Sequence, residues 1–182
     1  MAIRHIADTS SADKEPLVGK KELVAEVSGD SGMNYDIFFM QEAIKEAEKA
    51  AKKNEVPVGC VITKNNKIIS RAHNLTKKEN DSTAHAEIIA IRKAERKTGN
   101  YRLTNCDMYV TIEPCPMCAG ALIWARINKV FYGACDKKAG ACGSVVNIVN
   151  SNRFNHTAIV KSGLLQAKCT KIIKNFFKKK RK

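Results

Sequence analysis

Asp107-Met108-Tyr109-Val110-Thr111-Ile112-Glu113-Pro114-Cys115-Pro116-Met117-Cys118 is the stretch on which the fold turns. Asp107 to Ile112 reads as a short strand, Pro114 and Pro116 stop it, and Met117 to Arg126 reads as a helix entered through a proline. That corner puts Cys115 at the helix cap and Cys118 inside the first turn. The partial positive charge of a helix N-terminus favours the thiolate forms there.

Upstream, Thr83-Ala84-His85-Ala86-Glu87 poses a geometric conflict. Two residues on a helix are about 200° apart around the axis and do not face each other. Side chains in a first turn lean toward the N-terminal end, however, and can converge on a target beyond it. Ser82 and Thr83 are N-cap candidates, and Ala84 to Arg96 then reads as a helix with Ile88, Ile91 and Ala94 among its apolar positions. His85, Cys115 and Cys118 thereby offer three zinc ligands from two helix beginnings, which leaves a tetrahedral ion with one open corner. Two thiolates and a neutral imidazole cancel the charge of Zn²⁺, so a bound water is less acidified than by three histidines and a nearby base becomes useful. Glu87 fits that role as general acid and base, in hydroxide attack on an amidine-like carbon with loss of ammonia. The competing reading is a closed structural site completed by Cys106 or Cys142. Against it, the sequence holds no second Cys-x-x-Cys and no His-x-x-x-His, and a closed site gives no reason for Glu87.

Around these motifs, Asn34 to about Lys53 reads as a helix with Ile37, Met40, Ala43, Ile44, Ala47 and Ala51 on one side. Strands follow near Gly59 to Lys64 and Lys67 to Ala72, joined by a hairpin turn at Asn65-Asn66, with another strand at Lys129 to Tyr132 and a helical pattern from near Leu164. Alternating strands and helices imply an α/β protein with a mixed sheet covered on both faces and the metal at the strand ends. Gly133 to Ser144 is either a loop bordering the pocket or a flexible connection. Residues 1–33 lack sustained periodicity and read as an extension or linker; the folded domain spans 34–177, and 178–182 form a basic tail.

A chain of 182 residues, 44% of them hydrophobic, is enough for one domain with its own core. No apolar run reaches membrane-spanning length, the start lacks the apolar core of a secretory signal, and seven cysteines, an odd number, fit reduced thiols, so a cytoplasmic protein is expected. The net charge of +14 suits a polyanionic partner. It is uneven: residues 1–33 carry four basic and six acidic side chains, so the remainder carries +16, much of it in Lys174-Asn175-Phe176-Phe177-Lys178-Lys179-Lys180-Arg181-Lys182.

His-x-Glu with Pro-Cys-x-x-Cys is a signature already known for zinc-dependent nucleobase deaminases. From about Tyr35 to Phe177 the chain further resembles the bacterial tRNA-specific adenosine deaminases, through Glu55-Val56-Pro57-Val58-Gly59, His73-Asn74, Asn100-Tyr101-Arg102-Leu103, Thr111-Ile112-Glu113-Pro114-Cys115, Met117-Cys118-Ala119-Gly120-Ala121, Tyr132 to Gly140 and Asn155-His156. The resemblance implies a three-layer αβα cytidine deaminase-like fold with a mixed, roughly five-stranded sheet. It implies one zinc per subunit on His85, Cys115 and Cys118, with Glu87 as proton shuttle. It also implies that Asn74 hydrogen-bonds the target base, that Asp136 lies near the bound nucleotide and that His156 lies near RNA; the first two are also ordinary turn residues and the third an ordinary solvated histidine. Asn54 departs from the arginine that some members carry. The implied reaction is conversion of adenosine to inosine at the wobble position of a tRNA anticodon, arginine tRNA above all, by a homodimer whose RNA touches both subunits. Two other readings fit the motifs: deamination of a free base or nucleoside, guanine or cytosine, and a non-catalytic RNA-binding protein with structural zinc.

Overall fold

The structure, a computed structural model, describes residues 35–181; the extension expected at residues 1–33 lies outside the described residues. Its elements run α1 (Tyr35–Lys52), β1 (Gly59–Lys64), β2 (Lys67–His73), the one-turn α2 (Thr76–Glu79), α3 (Ala86–Thr98), β3 (Cys106–Ile112), α4 (Pro116–Trp124), β4 (Lys129–Ala134), β5 (Ile159–Ser162) and α5 (Gln166–Lys180).

The five strands form one sheet in the order β2-β1-β3-β4-β5. β1 pairs antiparallel with β2 and β3, and β3, β4 and β5 run parallel. Asn65 and Asn66 turn the β1–β2 hairpin with φ of 50° and 56°, the paired left-handed conformation that asparagine tolerates best after glycine.

Side-chain alternation assigns the layers. Cys60, Ile62, Met108, Val110, Val130 and Tyr132 pack with Ala90, Ile91 and Ala94 of α3 and Ala119 and Leu122 of α4. The intervening Val61, Tyr109 and Phe131 pack on the opposite face with Phe39, Met40 and Ala43 of α1 and Cys169 of α5. The central strands are therefore buried on both faces, which is why β1 and β3 read as continuous apolar runs rather than alternating ones. On the α1 side Tyr109 stacks on Phe131 with ring centroids 4.5 Å apart, and its hydroxyl donates to Asp36 at 2.7 Å. Gly59 allows α1 to press onto β1: a Cβ there would lie 2.0 Å from the Ala43 carbonyl oxygen and 2.4 Å from the Ala47 nitrogen. The result is the expected three-layer αβα arrangement.

Helix α3 begins two residues later than the sequence suggests. His85 occupies the N-cap, in place of Ser82 or Thr83, and makes no side-chain capping bond. The Asp81 carboxylate accepts both the N–H and the hydroxyl of Thr83 at 2.7 Å each, which keeps that residue in a separate turn.

Candidate active site

Both chemical motifs sit where helices start. His85 is the N-cap of α3 and Glu87 its second residue; Cys115 is the N-cap of α4, Pro116 its first residue and Cys118 its third. Because α3 and α4 pack as neighbours on one face of the sheet, their first turns converge. His85 Nδ1 lies 3.5 Å from Cys118 Sγ and 3.7 Å from Cys115 Sγ. The three donor atoms all lie within 4.8 Å of one another, and among the described residues no fourth His, Cys, Asp or Glu joins them, Cys106 and Cys142 included.

These residues fit zinc. With Zn–S of about 2.3 Å and Zn–N of about 2.0–2.1 Å, a tetrahedral ion sets its S···N edges at roughly 3.6 Å, and the observed 3.5 and 3.7 Å bracket that length. The donor chemistry agrees. Cys115 is brought down to about 4, first by the hydrogen bond from Cys118 and then, against burial, by His85. Cys118 is pushed up, first by its bond to Cys115 and then by burial. The pair thus holds one thiolate ready-made and releases a second proton only to something that replaces it, as a cation does.

Glu87 stands beside this group, only 3% exposed, with Oε2 buried and without a hydrogen-bond partner. Burial raises its pKa, although its own backbone N–H and His85 pull the other way. A buried carboxyl oxygen left unpaired costs on the order of 1–3 kcal/mol. Buried groups with perturbed titration cluster at functional sites.

Asn74 is brought to the same place. Its Oδ1 accepts the Ala86 N–H at 2.8 Å, so it caps α3 from the end of β2, and its amide nitrogen is left as a donor. Asp136 lies in the loop after β4, where its N–H donates to Glu113 Oε2 at 3.1 Å and its Oδ1 accepts the N–H groups of Lys138 and Ala139. His156 is not brought to the thiols. A ring nitrogen meets the Ile127 carbonyl oxygen at 2.7 Å, just beyond the C-terminal end of α4 and hence at the opposite end of that helix from Cys115.

Sequence reasoning passed over two buried carboxylates. Glu55 accepts the Thr76 hydroxyl at 3.1 Å and the N–H groups of Lys77 and Lys78 at 3.1 and 2.8 Å, anchoring the segment that leads from Asn74 to His85. Glu113 plays a similar part for the loop of Asp136. Neither position carries a local signal, because the partners are 21 or more residues away in sequence.

Fold and metal group together define a zinc-dependent deaminase, and the chain belongs to that class: residues 33–134 match the cytidine and deoxycytidylate deaminase zinc-binding region. A tRNA-specific adenosine deaminase of Bacillus subtilis is 48% identical over 150 residues, 82% of this chain and 93% of that protein. A solved structure from work on A-to-I editing by tRNA:A34 deaminases at the wobble position superposes with a TM-score of 0.72 at 43% identity, covering 74% of this chain and 98% of the other. A guanine deaminase from Bacillus subtilis gives a TM-score of 0.53 at 43% identity over 57% of this chain and 66% of its own. At this level of identity and coverage the particular family is that of the tRNA-specific adenosine deaminases.

Proposed function

We propose that this chain hydrolyses adenosine to inosine at the wobble position of a tRNA anticodon, with arginine tRNA the first candidate. The observation that carries the reading is a three-donor group with no fourth donor among the described residues, and beside it a buried carboxylate whose Oε2 has no hydrogen-bond partner. His85, Cys115 and Cys118 hold the zinc, which when bound supplies Lewis acidity and a water that is easier to deprotonate. Glu87 Oε2 takes the proton from water and delivers it to the departing amine, so that adenosine and water become inosine and ammonia. The Asn74 amide donates to the base, and Asp136 faces the nucleotide. An anticodon loop suits such a site because its bases can be splayed into a pocket without melting a duplex.

His156, in the β4–β5 connection, sits beyond the C-terminal end of α4 and away from the thiols of its own subunit; if it contacts RNA, a homodimer would let it reach RNA bound to the partner. Trp124 is 74% and Tyr101 66% exposed, and with Ile88 and Ala121 they line an apolar groove on the outer face of α3 and α4 that a second copy would cover. No helix among the described residues is long and apolar enough to cross a membrane, and all seven cysteines are free, in keeping with work on tRNA in the cytoplasm.

The test is incubation of the zinc-loaded protein with total bacterial tRNA and mapping of any inosine, alongside Glu87→Ala. Inosine confined to the wobble position, ammonia release and loss of both in Glu87→Ala with zinc retained are expected. Faster turnover of free guanine, cytosine or adenosine would reject the substrate, and unimpaired turnover by Glu87→Ala would reject the chemistry.

A further inference from the structure

Between β4 and β5 the chain has no regular element beyond turns and one bridge, Cys142 to Asn147. Residues 135–144 are nevertheless held, and what holds them follows β3 directly and stands two residues before Cys115. Glu113 is 2% exposed. Its Oε1 accepts the N–H groups of Cys142 and Ser144 at 3.0 Å each. Its Oε2 accepts the Asp136 N–H at 3.1 Å and the Ser144 hydroxyl. Gly140 closes over the same group so tightly that a Cβ would lie 2.4 Å from Glu113 Cδ and Oε2. Backbone bonds complete the fastening: Ala141 N–H to the Pro114 carbonyl and Glu113 N–H to the Ala134 carbonyl, both 2.8 Å. One short, proline-stiffened stretch therefore fixes both Cys115 and the loop of Asp136 and Lys138.

We infer that Glu113 is a positioning residue for substrate: its carboxylate sets the Asp136 loop at a fixed offset from Cys115, so that nucleotide affinity depends on it while metal loading does not. The inference rests on the role proposed above for Asp136. Its physical basis is the number of donors. A single bond would leave the loop free to pivot, whereas bonds to residues 136, 142 and 144 pin both of its ends and its exit. Misplacing a substrate contact by an ångström is enough to lower catalytic efficiency by as much as about 100-fold.

Glu113→Gln tests this at the level of atoms. The Ser144 hydroxyl can rotate and accept, so the new amide nitrogen takes the Oε2 side, and the Asp136 N–H then faces a donor. The Cys142 and Ser144 N–H groups keep their carbonyl acceptor. Amide exchange followed by NMR should show loss of protection at Asp136 with Cys142 and Ser144 unchanged. KM for an anticodon stem-loop should rise about tenfold, within the range expected for a displaced substrate contact, with kcat within about threefold and zinc content unchanged. Gly140→Ala, whose Cβ would lie 2.4 Å from Glu113 Cδ and Oε2 and 2.5 Å from the Asp136 carbonyl oxygen, forces loop and carboxylate apart and should raise KM likewise with zinc unchanged. Uniform loss of protection at all three amides in Glu113→Gln, kcat and zinc falling together, or an unchanged KM in both variants would overturn the inference. Should the unaltered protein form no inosine, the substrate reading fails separately, and the amide pattern alone decides whether Glu113 anchors the loop.

Discussion

Asn74→Ala should weaken the protein and its activity at once, because Asn74 makes a structural bond with one atom and, in the role proposed above, offers the other to substrate. α3 starts with His85, which provides no side-chain cap, so the Ala86 N–H depends on Asn74 Oδ1 at 2.8 Å. Asn74 is 5% exposed, and water has poor access to replace it. Loss of an N-cap acceptor costs about 0.5–2 kcal/mol, and an orphaned buried donor about 1–3 kcal/mol; we take about 1.5 kcal/mol. For a domain of this size each kcal/mol lowers Tm by roughly 2–4 °C, so the shift should be about 3–6 °C. Thermal unfolding of zinc-loaded protein, followed by circular dichroism, measures it directly. Asn74→Asp keeps an acceptor on the same stem but removes the amide donor. It should therefore retain more of the stability than Asn74→Ala while losing base recognition, read as a rise in KM for the stem-loop. A Tm for Asn74→Ala within about 1 °C of the unaltered protein would refute the capping argument, since His85 at the N-cap makes no side-chain bond of its own.

Cys118→Ala should lower zinc content far below one per chain and weaken folding, because Cys118 is fully buried in the first turn of α4 and no further donor stands by to replace it among the described residues; metal analysis after dialysis against a chelator measures this. Removing Lys178 to Lys182 deletes five cations, and the slope of log affinity against log salt should flatten by about 0.7 for each phosphate that the tail no longer neutralises, with zinc untouched. Equal slopes would leave the tail without an RNA role. Glu55→Gln addresses pH. Burial would raise the Glu55 pKa, but the bonds from Lys77, Lys78 and Thr76 outweigh it and lower it. A depressed folded-state pKa contributes stability above the unfolded carboxylate value that is lost as pH falls through the folded one. The stability gap between Glu55→Gln and the unaltered protein should thus be open at about pH 7 and shrink on acidification below about pH 4.5; a gap that widens in acid would contradict the assignment.

Much of this fold was legible because its punctuation is local. Proline at the entrance of α4, asparagines at the hairpin and helical periodicity in α1 each act within a few residues, and the structure places those elements within one or two residues of expectation. The exposed face of α1 was harder: Ile37 and Ile44 are only half-buried, while Phe39 and the charged Glu46 lie inside, Glu46 bonded to Lys49 and His73. β5 escaped notice because it is a four-residue edge strand with no buried residue, so it carries no alternation to read. Ser82-Thr83 looked like a cap because any hydroxyl before a helix does; that Asp81 had engaged Thr83 depends on three-dimensional placement. At the site, the convergence of His85, Cys115 and Cys118 was readable because spacing and residue type both constrain them. Glu113 was not, since a carboxylate serving three distant amides looks like any other acidic residue until the chain has closed around it.

The two helices that begin at His85 and Cys115 also share a peculiarity of construction. Each has placed a reactive donor at the position where a helix ordinarily carries a group that satisfies its own first amides. The opening turn of α3 is consequently secured from outside, by Asn74. In a cell deprived of zinc, both helix mouths would lose the same tie at once, since one ion would be shared between His85 on α3 and Cys115 and Cys118 on α4.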